Sequence, residues 1–244
     1  MLCRNLNGDL RDASGETVAR ELIGEFATNS FADEFLAQLD LISSGTRGSS
    51  STRAAAGDYF HVLDVGTGTA RIPIEICTRR GDILCTAVDR ATRALQTARR
   101  NVQQAGLNCA IRIEKADANS LPFANASFDG VISSSLLHHV ANRHGVLTEM
   151  VRVLRPGGLL FVRDTLRGSD AGQIAHILSR GSCDNHAAQR AVFDSAFHAM
   201  LNIDEARDLA LTAGLPRECV RQSGPRHWML EFRLQPEPAE VNRC

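Results

Sequence analysis

The segment Val62-Leu63-Asp64-Val65-Gly66-Thr67-Gly68-Thr69-Ala70-Arg71 constrains the fold of this chain more than any other. An apolar run leads into Gly-x-Gly and then into residues with helical spacing. The chain must turn sharply there, and glycine permits both the turn and the close approach of a ligand to bare backbone. Free N–H groups at the start of the following helix suit a carboxylate or a phosphate. Taken alone, the segment reads equally well as a tight strand–helix connection.

The same texture repeats downstream. Short apolar runs at 61–65, 83–88, 110–113, 130–132 and 159–162 alternate with amphipathic stretches near 70–80, 92–105 and 142–154. Strand and helix in this rhythm build a parallel sheet with helices on both faces. Right-handed crossovers then bring every strand's carboxyl end to one edge, where ligands bind. Near the end, Asn202-Ile203-Asp204-Glu205 predicts a capped helix start, and Gly214 its stop. Strands near 218–222 and 227–234 flank Ser223-Gly224-Pro225, a turn sequence that predicts an antiparallel edge hairpin.

The expected domain organisation has three parts. Residues 1–57 form an N-terminal helical cap and a flexible loop, because apolar residues recur at helical spacing over 15–43 and a Gly/Ser stretch comes next. Residues 58–234 form the main domain, and 235–244 a frayed tail. Within the domain, 165–201 is expected to be a helical insertion after strand five. Phe193, Phe197 and Leu201 give it an apolar face, which suits a lid or simply a packed helix.

Two ligand classes compete for the glycine turn. A dinucleotide site wants Gly-x-Gly-x-x-Gly, and position 71 is Arg71, which argues against a nicotinamide cofactor. Asp89 ends the second strand, where an acceptor-only carboxylate suits a ribose diol or, alternatively, caps the helix starting near Ala91. Lys115-Ala116-Asp117-Ala118 and Leu121-Pro122-Phe123 come after the third strand. Phe128-Asp129 opens the fourth, Leu137-His138-His139 closes it, and Leu154-Arg155-Pro156-Gly157-Gly158 precedes the fifth.

In that order and spacing, these pieces resemble class I S-adenosylmethionine-dependent methyltransferases over roughly residues 60–165. The resemblance is strongest to the branch that includes the quinone-biosynthesis C-methyltransferases and many small-molecule methyltransferases. Asp64, Gly66 and Gly68 match the acidic-x-Gly-x-Gly-x-Gly motif, with Ala70 in place of its last glycine. The resemblance implies a Rossmann-like, doubly wound, mostly parallel seven-stranded sheet. It implies S-adenosyl-L-methionine as cofactor, with Asp64, Gly66, Thr67, Gly68, Asp89, Arg90, Asp117, Ala118 and Ser133 as binding residues.

Methyl transfer from a sulfonium is an in-line displacement that depends mainly on alignment in a dry cleft, so it needs no invariable base. Two residues at the expected cleft suit proton chemistry nonetheless. His138 lies just past strand four and can accept a proton near neutral pH; it also suits a packed wall position, and His139 could exchange roles with it. Asp164 lies just past strand five and suits substrate contact or a structural pair with Arg163 or Arg167.

A formal charge of −1, from 27 basic and 28 acidic residues, leaves no overall footprint for nucleic acid. No apolar stretch approaches a bilayer span, and the N-terminal residues lack a leader's apolar run. The expected partner is a small-molecule methyl acceptor, without nucleic acid or membrane; a homodimer is compatible with the sequence. The seven cysteines fall into no paired spacing, which points to a reducing cytoplasm. His176, His186 and His198, with Cys183 and Asp184, match no compact metal-ligand spacing, so no metal is expected.

Overall fold

A computed structural model describes residues 28–40, 59–167 and 199–235. The chain divides into two units, Met1–Ser50 and Ser51–Cys244. In the first, a helix (α1) covers residues 28–40. Phe31, Phe35 and Leu39 recur every fourth residue along it, and all three are fully buried. The remainder of the expected cap and loop lies outside the described residues.

The second unit is built on one seven-stranded sheet. Its strands are β1 (Phe60–Val65), β2 (Ile83–Asp89), β3 (Ile111–Lys115), β4 (Phe128–Ser134), β5 (Leu154–Thr165), β6 (Val220–Ser223) and β7 (His227–Arg233). Their spatial order is β3-β2-β1-β4-β5-β7-β6. The first five pair in parallel, and β7 enters antiparallel between β5 and β6. Strand order reverses between β1 and β4, so a crevice opens there beyond their carboxyl ends.

Both faces of the central strands are covered. Leu63, Val65, Val131, Leu160 and Val162 belong to a core shared with Val146, Leu147 and Met150. Their alternating neighbours Val62, Ile132 and Phe161 are also fully buried. The helices of this unit are α2 (Arg71–Arg79), α3 (Thr92–Gln104), α4 (Arg143–Val153) and α5 (Ile203–Thr212). Asn202 caps α5 as the sequence predicts: its Oδ1 accepts from Glu205 N and Glu205 Oε2 accepts from Asn202 N, each at 2.9 Å.

One boundary differs from expectation. The apolar run places strand five at 159–162, but α4 ends at Val153 and β5 already begins at Leu154, paired with Phe128. Proline biases the residue before it toward extended backbone, so the helix closes ahead of Arg155. The register then shifts between Phe128 and Gly130. Asp129, at that irregularity, accepts from His61 N at 2.9 Å and from Arg155 Nη1 at 3.0 Å. The Phe-Asp pair is thus a brace between β1, β4 and β5. The expected helical lid at 165–201 is described only at its margins, and His176, His186 and His198 lie outside the described residues.

Candidate active site

The glycine turn is fastened to the tip of β2. Gly66 N and Thr67 N both donate to the Val88 carbonyl at 2.9 Å. Gly68 N donates to Asp89 Oδ2, also at 2.9 Å. All three of these turn amides are thus engaged by β2. Asp89 Oδ1 accepts from Ala91 N at 2.8 Å, so the carboxylate braces the entry to α3 as well. From α3, Asn101 Nδ2 donates to the Thr69 carbonyl at 2.9 Å.

Gly66 and Gly68 both adopt positive φ, +80° and +57°. Their surroundings differ. A Cβ on Gly66 would stand 2.9 Å from Leu136 Cδ1, whereas one on Gly68 would meet nothing within 4 Å. One glycine is packed and the other borders open space. Ala70, standing where the motif's last glycine would be, is held at φ +61° ahead of α2.

Asp64 lies under this turn and is 2 % exposed. Burial pushes its carboxyl up to about 7, and the nearby Asp89 charge adds to the shift. The Thr67 hydroxyl opposes it from close by, although its oxygen makes no hydrogen bond of regular geometry. Ser133 is fully buried, and its hydroxyl donates to the Val65 carbonyl at 2.8 Å. It therefore acts on the turn through the backbone just ahead of Gly66.

Beyond β3, Asp117 Oδ1 accepts from Asn119 N at 2.9 Å and from Asn119 Nδ2 at 3.0 Å. These bonds, with a smaller contribution from Arg90, hold its carboxyl below the usual range. Asp117 and Arg90 are both exposed, while Ala118 packs half-buried against the core. The next loop is pinned from α4. Glu149 Oε2 accepts from Leu121 N at 2.7 Å, and Arg152 donates to the Leu121 and Phe123 carbonyls at 3.0 and 2.8 Å.

His138 and Asp164, separate candidates in the sequence, meet in the structure. β4 and β5 are neighbours in parallel, with Ser134 beside Arg163, so the turn after β4 faces the end of β5. His138 sits in a 3-10 turn, Leu137–His139, and its Nδ1 bonds Asp164 Oδ1. Asp164 is 1 % exposed, and its two oxygens also accept from Leu137 N and Thr165 N, each at 2.6 Å. With Nδ1–H held by a carboxylate, the neutral ring presents Nε2 as an acceptor. The His139 ring lies 3.9 Å from that of His138, and burial, together with His138, pushes its pKa down. Arg167 is paired with Glu205 rather than with Asp164.

Residues 63–162 match the family profile described as a methyltransferase domain. Over those residues the chain is similar to the methyltransferase domain family. Within the domain, the matched residues include the glycine turn, Asp89, Asp117 and His138. A curated O-methyltransferase of Pyrenophora dematioidea is 35% identical over 104 residues, which are 43% of this chain and 39% of that protein. A demethylmenaquinone methyltransferase of Deinococcus radiodurans is 38% identical over 117 residues, 48% of this chain and 47% of that protein. The chain thus spans less than half the length of these relatives. A methyltransferase structure from Aquifex aeolicus superposes with a TM-score of 0.54 at 18% identity, over 73% of this chain and 85% of that one. That likeness shows the shared Rossmann-like fold.

Sequence reasoning missed Asn101, Leu136 and Arg143, all of which shape the site. Asn101 had a visible signal: it is a polar residue one turn from Ala98 and beside Val102, on the buried side of α3.

Proposed function

We propose that this chain transfers a methyl group from S-adenosyl-L-methionine to a small-molecule hydroxyl acceptor, with His138 as general base. One observation carries the reading. Leu136 packs against Gly66 of the turn, and two residues later His138 bonds the buried Asp164. Cofactor turn and proton acceptor are thereby joined on adjacent strand tips.

The residues present fit the cofactor. Gly68 borders open space where a ligand backbone can lie, Asp89 stands at the strand tip where a diol would bond, and buried Asp64 suits an ammonium. Asp117 and the Ala118 amide are assigned the adenine side. Thr67, Arg90 and Ser133 are assigned to the rim and support of the same site. When bound, the cofactor supplies an electrophilic methyl on a sulfonium. Asp164 holds His138 Nδ1–H, so Nε2 takes the acceptor's hydroxyl proton as oxygen attacks, and the imidazolium formed is stabilised by the carboxylate.

The O-methyltransferases among the relatives support an oxygen acceptor. Domain 58–234 is assigned the whole of this chemistry. Free thiols at Cys77, Cys85, Cys109 and Cys219 suit the cytoplasm.

Calorimetric titration with S-adenosylhomocysteine, with NAD in parallel, tests the cofactor. Binding of the former alone is expected. Gly68→Asp should abolish it while lowering the melting temperature by only a few degrees: its side chain enters open space, and the remaining cost is the φ of +57° that strains a non-glycine residue. Unchanged affinity in that variant would remove the glycine turn from the site. On a hydroxyl acceptor, His138→Ala should lower kcat by about 10²–10⁴-fold.

A further inference from the structure

Arg143 begins α4, next to the capping Asn142, and its guanidinium grips two backbone carbonyls. Nε donates to Leu137 O at 3.1 Å, and Nη2 donates to Ala199 O at 2.6 Å. Leu137 immediately precedes His138, and its own N–H donates to Asp164. This residue is therefore held from both sides, its amide by the dyad carboxylate and its carbonyl by Arg143.

The turn needs that hold. Ser135, at its entry, sits at φ +56°, a conformation that costs a non-glycine residue about 1–3 kcal/mol unless its surroundings impose it. Of the turn's own bonds, His139 N to Leu136 O is 2.9 Å, but Val140 N to Leu137 O is stretched to 3.4 Å. Arg143 is the closer partner of that carbonyl. Its second carbonyl belongs to a segment fixed from elsewhere: Arg167 Nη1 donates to Met200 O at 3.2 Å, and Arg167 N to Leu201 O at 2.8 Å. Arg167 in turn pairs with Glu205, the partner of the α5 cap. A polar network thus runs from the start of α5 to the dyad.

We propose that Arg143 is a positioning residue for His138, fastening the Leu137 carbonyl to the 199–201 segment so that His138 Nδ1 stays on Asp164. The planar guanidinium spans two carbonyls at once, which a lysine ammonium does less well. This inference rests on the reading of His138 as the base, and its test separates the two.

The test is long-range proton–nitrogen NMR of the full chain with 15N-labelled histidine, at a pH where imidazole is neutral. Wild type should show His138 as the Nδ1–H tautomer alone. Arg143→Met should give mixed tautomers and exchange broadening at His138, with S-adenosylhomocysteine affinity retained. Arg143→Lys should restore part of the wild-type signature, and it carries the comparison if the methionine variant does not fold. Asp164→Asn is the reference that removes the carboxylate. A His138 signal altered by Asp164→Asn but untouched by either Arg143 variant would overturn the inference and leave the dyad standing. A signal indifferent to Asp164→Asn as well would overturn the dyad and the inference together.

Discussion

The Asp64 carboxyl is buried beneath the cofactor turn with Asp89 nearby, and its pKa is raised from 3.8 to about 7. A carboxyl whose folded pKa lies above its unfolded value binds its proton more tightly in the folded state. Its penalty is therefore absent below about pH 4, grows as pH rises toward 7, and is complete above 7. Asp64→Asn should accordingly raise the melting temperature of the ligand-free protein above pH 7, and the gain should shrink as pH falls. Binding should show the opposite need. An ammonium ligand wants the ionised form, so S-adenosylhomocysteine affinity should fall below about pH 7, by up to about tenfold per pH unit. Titration calorimetry across that range, with Asp64→Asn as the flat reference, checks the role proposed for this residue. Asp89 makes a second residue-scale case, since its carboxylate already holds Gly68 N and Ala91 N. Asp89→Ala should weaken the same ligand by about 1.5–3 kcal/mol, through the lost diol contact and the loosened turn.

Element ends offer cleaner stability tests, away from the ligand. Removing the α5 capping box by Asn202→Ala should cost about 0.5–2 kcal/mol in thermal or denaturant unfolding. Ala126, exposed before β4 at φ +54°, is a left-handed alanine. Relief of about 1–2 kcal/mol of backbone strain outweighs the added freedom of the unfolded chain. Ala126→Gly should therefore stabilise the protein by about 0.5–1 kcal/mol, and a lowered melting temperature would contradict this account. The α5 cap was legible in the sequence because capping depends on residues three apart, and the strands were legible because burial on both faces leaves continuous apolar runs. The turn's amide partners were not legible, for they depend on β2 lying beside β1, and nothing local in Gly66-Thr67-Gly68 announces Val88. His138 and Asp164 were each visible at a strand tip. Their pairing across 26 residues arises only from the adjacency of β4 and β5. Arg143 gave no signal at all: an arginine at a helix start reads as solvated surface until the carbonyls of Leu137 and Ala199 are brought to it.

At the scale of the molecule, the sheet is closed by its last strand. β7 pairs with β5 along seven registered positions, Leu159–Arg233 through Thr165–His227, and separates it from the edge strand β6. A chain ended at Pro225 would leave that side of β5 bare, with Leu160, Phe161 and Val162 in it. Such a chain should aggregate or lose cooperative unfolding, as read by light scattering and by denaturant titration; a soluble, cooperatively folding product would show that β5 does not need β7. The same topology has a consequence for biogenesis. Thr165 emerges from the ribosome ahead of its partner His227 by ~3–12 s at ordinary elongation rates, so each nascent chain carries an open, apolar strand edge for that interval. Synthesis speed and chaperone supply, rather than the equilibrium stability of the finished sheet, should then set how much of this protein a cell obtains in native form.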